Sequence, residues 1–267
     1  MDMVDPHVHV DTLDYHALEL MAVAGIKTII SMVSVPEVQE NIPSDAIFQH
    51  CDRVMSFHAW RTSKYFLIDT YVCPGISMVG VPIDYKDGID KLRFYLNQHY
   101  EKVVGIGEIG LHPESDTCPD LSIQEEILRA QLEIARDFGK PVAIHIPPAE
   151  KPKWVKRYLT MVKELKLDPS KVVIDHADDT VTKMITVSGC NAAITVQPWR
   201  KVRAIDAAQA IQIGDIDRIL VDSDCSLLDS DPLAVPKTAL EMRKLGMAET
   251  DIKKVVWDNP RRVYHLP

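Results

Sequence analysis

Residues 122–145 read SIQEEILRAQLEIARDFGKPVAIH: an amphipathic run that stops at a glycine, then a short apolar run that ends in histidine. Ile127, Leu128, Leu132, Ala135 and Phe138 recur at helical spacing, which predicts a helix over 122–138. Ser122 is read as its N-cap, with Glu125 three residues on; Gly139 supplies the stop and Pro141 blocks continuation. The apolar run that follows, Pro141–Ile146, reads as a strand buried on both faces.

The same unit recurs along the chain. Strand-like runs are Met3–Val10, Lys27–Val33, Asp69–Pro74, Lys102–Ile109, Pro141–Ile146, Lys171–His176, Asn191–Gln197 and Arg218–Asp224. Further helix patterns are Tyr15–Ala24, Asp45–Phe66, Asp87–His99, Lys153–Leu165, Arg203–Ile213 and Pro232–Leu245. Eight alternations in 267 residues read as α/β, a single (β/α)8 TIM-type barrel spanning residues 1–267. A doubly wound open sheet shares this periodicity. No Gly-x-Gly-x-x-Gly or Gly-x-x-x-x-Gly-Lys follows a strand, so its nucleotide-binding versions lose support.

The composition, 46% hydrophobic and 26% charged, is that of a globular protein. The net charge of −9 disfavours broad binding to nucleic acid or anionic membrane, leaving nucleic acid as a partner only in the role of substrate. Five scattered cysteines without a Cys-x-x-Cys pair indicate neither a disulfide framework nor a thiolate zinc site. No apolar stretch approaches the roughly 20 residues that span a bilayer. With no basic segment or apolar core of a leader before His7, the expected location is the cytoplasm.

The strand ends carry the chemistry. His7 and His9 lie on the first strand, Glu108 on the fourth, His145 ends the fifth, His176 the sixth, and Asp222 and Asp224 the eighth. In a parallel barrel these C-terminal ends converge on one rim, and residues two apart on a strand share a side. Any one of these residues alone is more often a hydrogen-bonded structural group. Together, four histidines and two carboxylates supply the donors that suit zinc, manganese or a related divalent ion.

These pieces resemble the TatD-like branch of the metal-dependent amidohydrolase superfamily. The matches are Asp-x-His-x-His at residues 5–9, Glu-Ile-Gly-Leu at 108–111, the run leading to His145, the histidine after strand six and Val-Asp-Ser-Asp at 221–224. WDNPRRVY at 257–264 is similar to the family's closing Asn-x-x-Arg-x-Phe segment. The resemblance implies one or two divalent ions (zinc first, with manganese, magnesium or nickel as alternatives) held by His7, His9 and Asp224 on one side and His145 and His176 on the other, with Glu108 bridging. It implies a hydrolase in which metal-activated water attacks the substrate. Asp224 and Glu108 are the expected catalytic groups, Asp224 taking the proton from water and passing it to the leaving group. Asp175 is read as a group that orients a neighbour, and Asp222, which matches a Glu of the related Glu-Thr-Asp-Ser-Pro pattern, as either a structural acid or a direct participant.

The loops depart from the deoxyribonuclease pattern. Glu-Ile-Gly-Leu-Asp becomes Glu-Ile-Gly-Leu-His at His112, the segment after strand six becomes HADDT, the Gly-Ile-His-Pro segment becomes GISM at 75–78, and Asp224 is followed by Cys225 and Ser226. Hydrolytic chemistry therefore carries over more firmly than nuclease activity. QPWRKVR at 197–203 and IPPAEKPKWVKR at 146–157 are candidates for holding an anionic group, by Trp199 with Arg200, Lys201 and Arg203 or by Lys151, Lys153 and Trp154. His112, Arg200 and Trp199 are the expected substrate contacts, while His50 and His58, on a helix pattern, read as structural. The leading expectation is hydrolysis of a small, anionic amide, lactone or ester. The alternatives are a TatD-like deoxyribonuclease, a metal-binding protein without turnover and a non-hydrolytic decarboxylase or isomerase.

Overall fold

A computed structural model describes residues 1–33, 42–113, 115, 117–227 and 230–267. Eight parallel strands alternate with helices: β1 (Met3–Val8), β2 (Ile26–Val33), β3 (Asp69–Pro74), β4 (Ile106–Gly110), β5 (Val142–His145), β6 (Val172–Asp175), β7 (Asn191–Thr195) and β8 (Ile219–Asp222). The first three form one continuous arc and the last five another. A single bridge closes each seam. Val72 pairs with Val103, and Val104 N–H donates to the Val72 carbonyl at 3.1 Å; Val8 pairs with Cys225, and His9 N–H donates to the Cys225 carbonyl at 2.9 Å. The (β/α)8 barrel read from the sequence is the observed architecture.

Period-two alternation divides each strand between two cores. Ile30, Met32, Cys73, Ala143, Val173, Ala193 and Leu220 share one small cluster in the barrel lumen, with Val263 and Tyr264 packed beneath. Their strand neighbours, such as Val142, Ile144, Ile174, Ile194 and Val221, join the larger core under the helices. One pleat beyond the lumen layer, the inward positions become His145, Asp175, Thr195 and Asp222. A narrow apolar plug thus supports a polar floor. Gly107 belongs to the plug, because a Cβ there would come within 2.9 Å of Ala143 Cβ.

The helices are α1 (Tyr15–Ala24), α2 (Asp45–Arg53), α3 (Ala59–Phe66), α4 (Tyr85–Gln98), α5 (Leu121–Phe138), α6 (Lys151–Glu164), α7 (Thr182–Val187), α8 (Ala204–Ile211), α9 (Ala234–Lys244), α10 (Glu249–Lys253) and α11 (Asn259–Val263). The pattern Asp45–Phe66 is helical throughout but passes through a π turn at Val54–His58 between α2 and α3. Helix α5 starts one residue before the expected N-cap: Asp120, with extended ψ, holds the cap position, and Ser122 lies inside the first turn. Gly139 ends α5 at φ 63°, as its position predicts. Several strands are shorter than their apolar runs, so His176 and Asp224 lie just past β6 and β8, in left-handed conformations at φ 60° and 43°. No helix among the described residues is long and apolar enough to cross a membrane.

Candidate metal centre

His7 on β1 is buried, and its Nδ1 lies 2.5 Å from Asp175 Oδ2 on β6. That contact turns Nε2 towards Asp224 Oδ1 at 3.5 Å and Glu108 Oε2 at 3.8 Å. His9, one pleat further on, sets its Nε2 3.3 Å from the same Asp224 oxygen. On the other side, Glu108 Oε1 lies 2.9 Å from His145 Nδ1 and 2.6 Å from His176 Nε2. The two oxygens of Glu108 therefore face different groups of ligands. His7, His9 and Asp224 form one cluster with donor atoms within 4.8 Å of one another, and Glu108, His145 and His176 form a second.

The fit to a divalent cation rests on these atoms. His7 Nε2 is buried and lacks a hydrogen-bond partner among the described residues, although three carboxylates surround its ring. Imidazole nitrogens and carboxylate oxygens in two such groups suit zinc or another first-row divalent ion. Three of the four histidine ligands also have a partner for the other nitrogen: Asp175 for His7, Thr195 Oγ1 at 2.6 Å for His176 Nδ1, and His112 Nδ1 at 3.2 Å for His145 Nε2.

The charges follow this geometry. Burial alone would raise the Glu108 carboxyl, but His176, His145 and His7 hold it well below the usual range. Asp224 is likewise held well below its usual range, with Lys201, His7 and His9 overcoming the cost of burial. Asp175 sits at about 2 for the same reason, beside His176 and His7. Burial would depress His7, yet Asp224, Asp175 and Glu108 push it well above 6.5. Burial, and next the charge of Asp175, drive the Asp222 carboxyl well above its usual range, and neither of its oxygens has a partner among the described residues.

The backbone adds an independent sign. His176 and Asp224 are non-glycine residues at positive φ, a costly conformation that clusters at functional sites. The Asp175 carboxylate accepts from His176 N–H at 2.6 Å, and Gln197 Nε2 donates to the Asp224 carbonyl at 2.8 Å.

Above the ligands opens a cavity of about 780 Å³. His112, Arg200, Lys201 and Lys151 line it, with Met32 and Met78 from the β2 and β3 side. Trp199 does not reach the cavity; it stands on the rim, 71% exposed. Of the three candidates on the second basic loop, Lys151 lines the cavity, whereas Lys153 pairs with Glu150 at 2.7 Å and Trp154 is buried. His50, read as structural, lines the cavity and lies 3.3 Å from Asp11. Its helical spacing from neighbours carried no sign of this, since the contact crosses from α2 to the loop after β1.

A family model described as TatD related DNase matches residues 4–265. An uncharacterized metal-dependent hydrolase of Methanocaldococcus jannaschii is 30% identical over 264 residues, covering 99% of this chain and all of that protein. Among solved structures, the TatD-like protein from Archaeoglobus fulgidus superposes with a TM-score of 0.79 at 23% identity, over 98% of this chain and 99% of that one. The beta-aspartyl dipeptidase of Fervidobacterium islandicum superposes with a TM-score of 0.70 at 16% identity, over 98% of this chain and 74% of that one. At these identities the two structures speak for the fold.

Proposed function

The chain belongs to the TatD-related DNase family and is a metal-dependent hydrolase, and from that premise we propose that it cleaves a small, anionic amide, lactone or ester. The observation that carries this reading is Glu108, whose two oxygens face two ligand groups at the floor of a cavity with Arg200, Lys201 and Lys151 on its wall. A divalent ion bound there, zinc for preference, would activate water and polarise the scissile group. His7, His9 and Asp224 would hold one ion, His145 and His176 a second, and Glu108 would serve both.

The chain's own groups divide the remaining work. Asp224, kept ionised by Lys201, His7 and His9, takes the proton from the attacking water and returns it to the leaving group. Arg200 at the cavity wall holds the anionic part of the substrate. His112 reaches the substrate from the β4 side while contacting His145. The test is metal reconstitution followed by a screen over esters, lactones, amides and phosphodiesters, with His7→Ala as control. A metal-loaded protein that cleaves only phosphodiesters would overturn the small-molecule reading.

One observation favours deoxyribonuclease activity instead. Trp199 offers an exposed ring beside Arg200 at the rim, an arrangement on which an unpaired base stacks. Salt-sensitive cleavage of single-stranded DNA, weakened by Trp199→Ala and lost in His7→Ala, would establish that activity.

A further inference from the structure

Lys201 brings a cation into the ligand ring itself. Its Nζ lies 2.6 Å from Asp224 Oδ2, and 3.0 and 3.2 Å from the two ring nitrogens of His176. Those nitrogens already face Thr195 and Glu108, so the ammonium sits against the imidazole between them. The placement is built in. Lys201 N–H donates to the Gln197 carbonyl at 2.7 Å, a Val196–Val202 bridge closes the loop, and the Gln197 amide donates to Asp224 Oδ2 at 3.1 Å. The loop after β7 is thereby tied to the residue that follows β8.

The other cations of the cavity are placed differently. Lys151 is occupied by Asp178 at 2.7 Å and the His176 carbonyl at 2.8 Å. Arg200 is exposed at the mouth. Lys201 has Asp224 as its carboxylate partner, and Asp224 is also a ligand of the proposed centre. A carboxylate that gives charge to a divalent ion neutralises its lysine less, leaving Lys201 with positive charge directed at the cavity it lines.

We propose that Lys201 receives an oxyanion of the substrate next to the metal ligands, and is the catalytic cation of this centre. The proposal rests on the hydrolase reading above and adds to it a group on the protein that touches the reacting end of the substrate. The oxyanion is either a permanent phosphate or carboxylate, or the negative oxygen that forms when water adds to the scissile group.

The test uses the full chain reconstituted with zinc, with inorganic phosphate as the probe, titrated calorimetrically. Metal content is measured on the same samples. Lys201→Met should weaken phosphate binding by about ten-fold or more at unchanged metal content, and Lys201→Arg should recover most of it. Arg200→Ala should lower phosphate affinity by no more than about three-fold. The proposal falls if zinc-loaded wild type fails to bind phosphate, if Lys201→Met binds it as wild type does, or if that variant loses its zinc, which would make Lys201 a positioning residue for Asp224. A wild type that takes up no zinc would sink the hydrolase reading instead. With any substrate the screen turns over, a loss in Lys201→Met confined to KM marks a permanent anion, and a loss in kcat marks the developing one.

Discussion

The Nδ1 of His7 and the Oδ2 of Asp175 lie 2.5 Å apart, and both residues are buried. One imidazole nitrogen is thereby committed, and the other can only face Glu108 and Asp224. Asp175→Asn keeps the volume but removes the charge that fixes this tautomer. Divalent-metal affinity should fall by roughly 10–100-fold, measured by competition with a chelator. Wild-type affinity in the variant would show that His7 is oriented by something else.

Metal binding should depend on pH through His7. Its proton is held well above 6.5 by the surrounding carboxylates, whereas Glu108 and Asp224 stay ionised well below the ordinary acid range. An ion must displace the His7 proton, so affinity rises with pH, and the loss on acidification begins above the range of an ordinary histidine. Chelator competition at a series of pH values, with proton release recorded by calorimetry in two buffers, measures this. No proton release on binding would contradict it.

Gly110 ends β4 against the end of β5, where a Cβ would come within 2.8 Å of the His145 carbonyl and 2.9 Å of His145 Cβ. Gly110→Ala must push these strand ends apart or fail to pack, at a cost of about 1–3 kcal/mol. Metal occupancy should fall along with the melting temperature. A variant that melts normally but loses metal would place the displacement in the His145 side chain alone.

His58 gives a test away from the centre. Burial first, and Arg61 next, lower it to about 4, and neither ring nitrogen has a hydrogen-bond partner among the described residues. The unfolded chain takes up this proton near 6.5, while the folded protein waits until about 4. Stability from the neutral ring is therefore complete above 6.5 and lost as the pH falls towards 4, by on the order of 2–3 kcal/mol. His58→Leu should remove this loss, so that the variant gains on wild type as the solution is acidified. Comparing the two proteins cancels Asp5, which burial lifts to about 6 and which works in the opposite sense. Parallel denaturation midpoints for the pair across this range would refute the argument.

Local signals in the sequence reached far into this structure. Helix α5 and strand β5 were legible because periodicity, a glycine stop and a proline lie within 24 residues of each other. His7, His9, Glu108, His145, His176 and Asp224 were legible because each sits at a strand end, and the barrel brings strand ends together. Helix α7, six residues long, is too short to show a period. Helices α10 and α11, five residues each, are likewise too short to show a period, and the packing of Val263 beneath the lumen is a tertiary fact. His50 escaped for the same reason, because it reaches the cavity across a helix–loop contact. Lys201 reads as an anion-holding candidate, but its place beside Asp224 and His176 depends on a loop closed by Val196 and Val202 and leaves no local signal. The cap of α5 fell to Asp120 although Ser122 and Glu125 were spaced for it, because the extended backbone ends two residues earlier than that pattern suggested.

The seam between β1 and β8 has a bearing on how the chain is made. His7 and His9 leave the ribosome more than two hundred residues before the Asp224 they share. Until Val8 can pair with Cys225, the buried face of β1 has a neighbour on one side only. Barrel closure and assembly of the first ligand group are therefore one late event in synthesis, and a chain stalled before residue 224 carries both histidines without the carboxylate that completes their group.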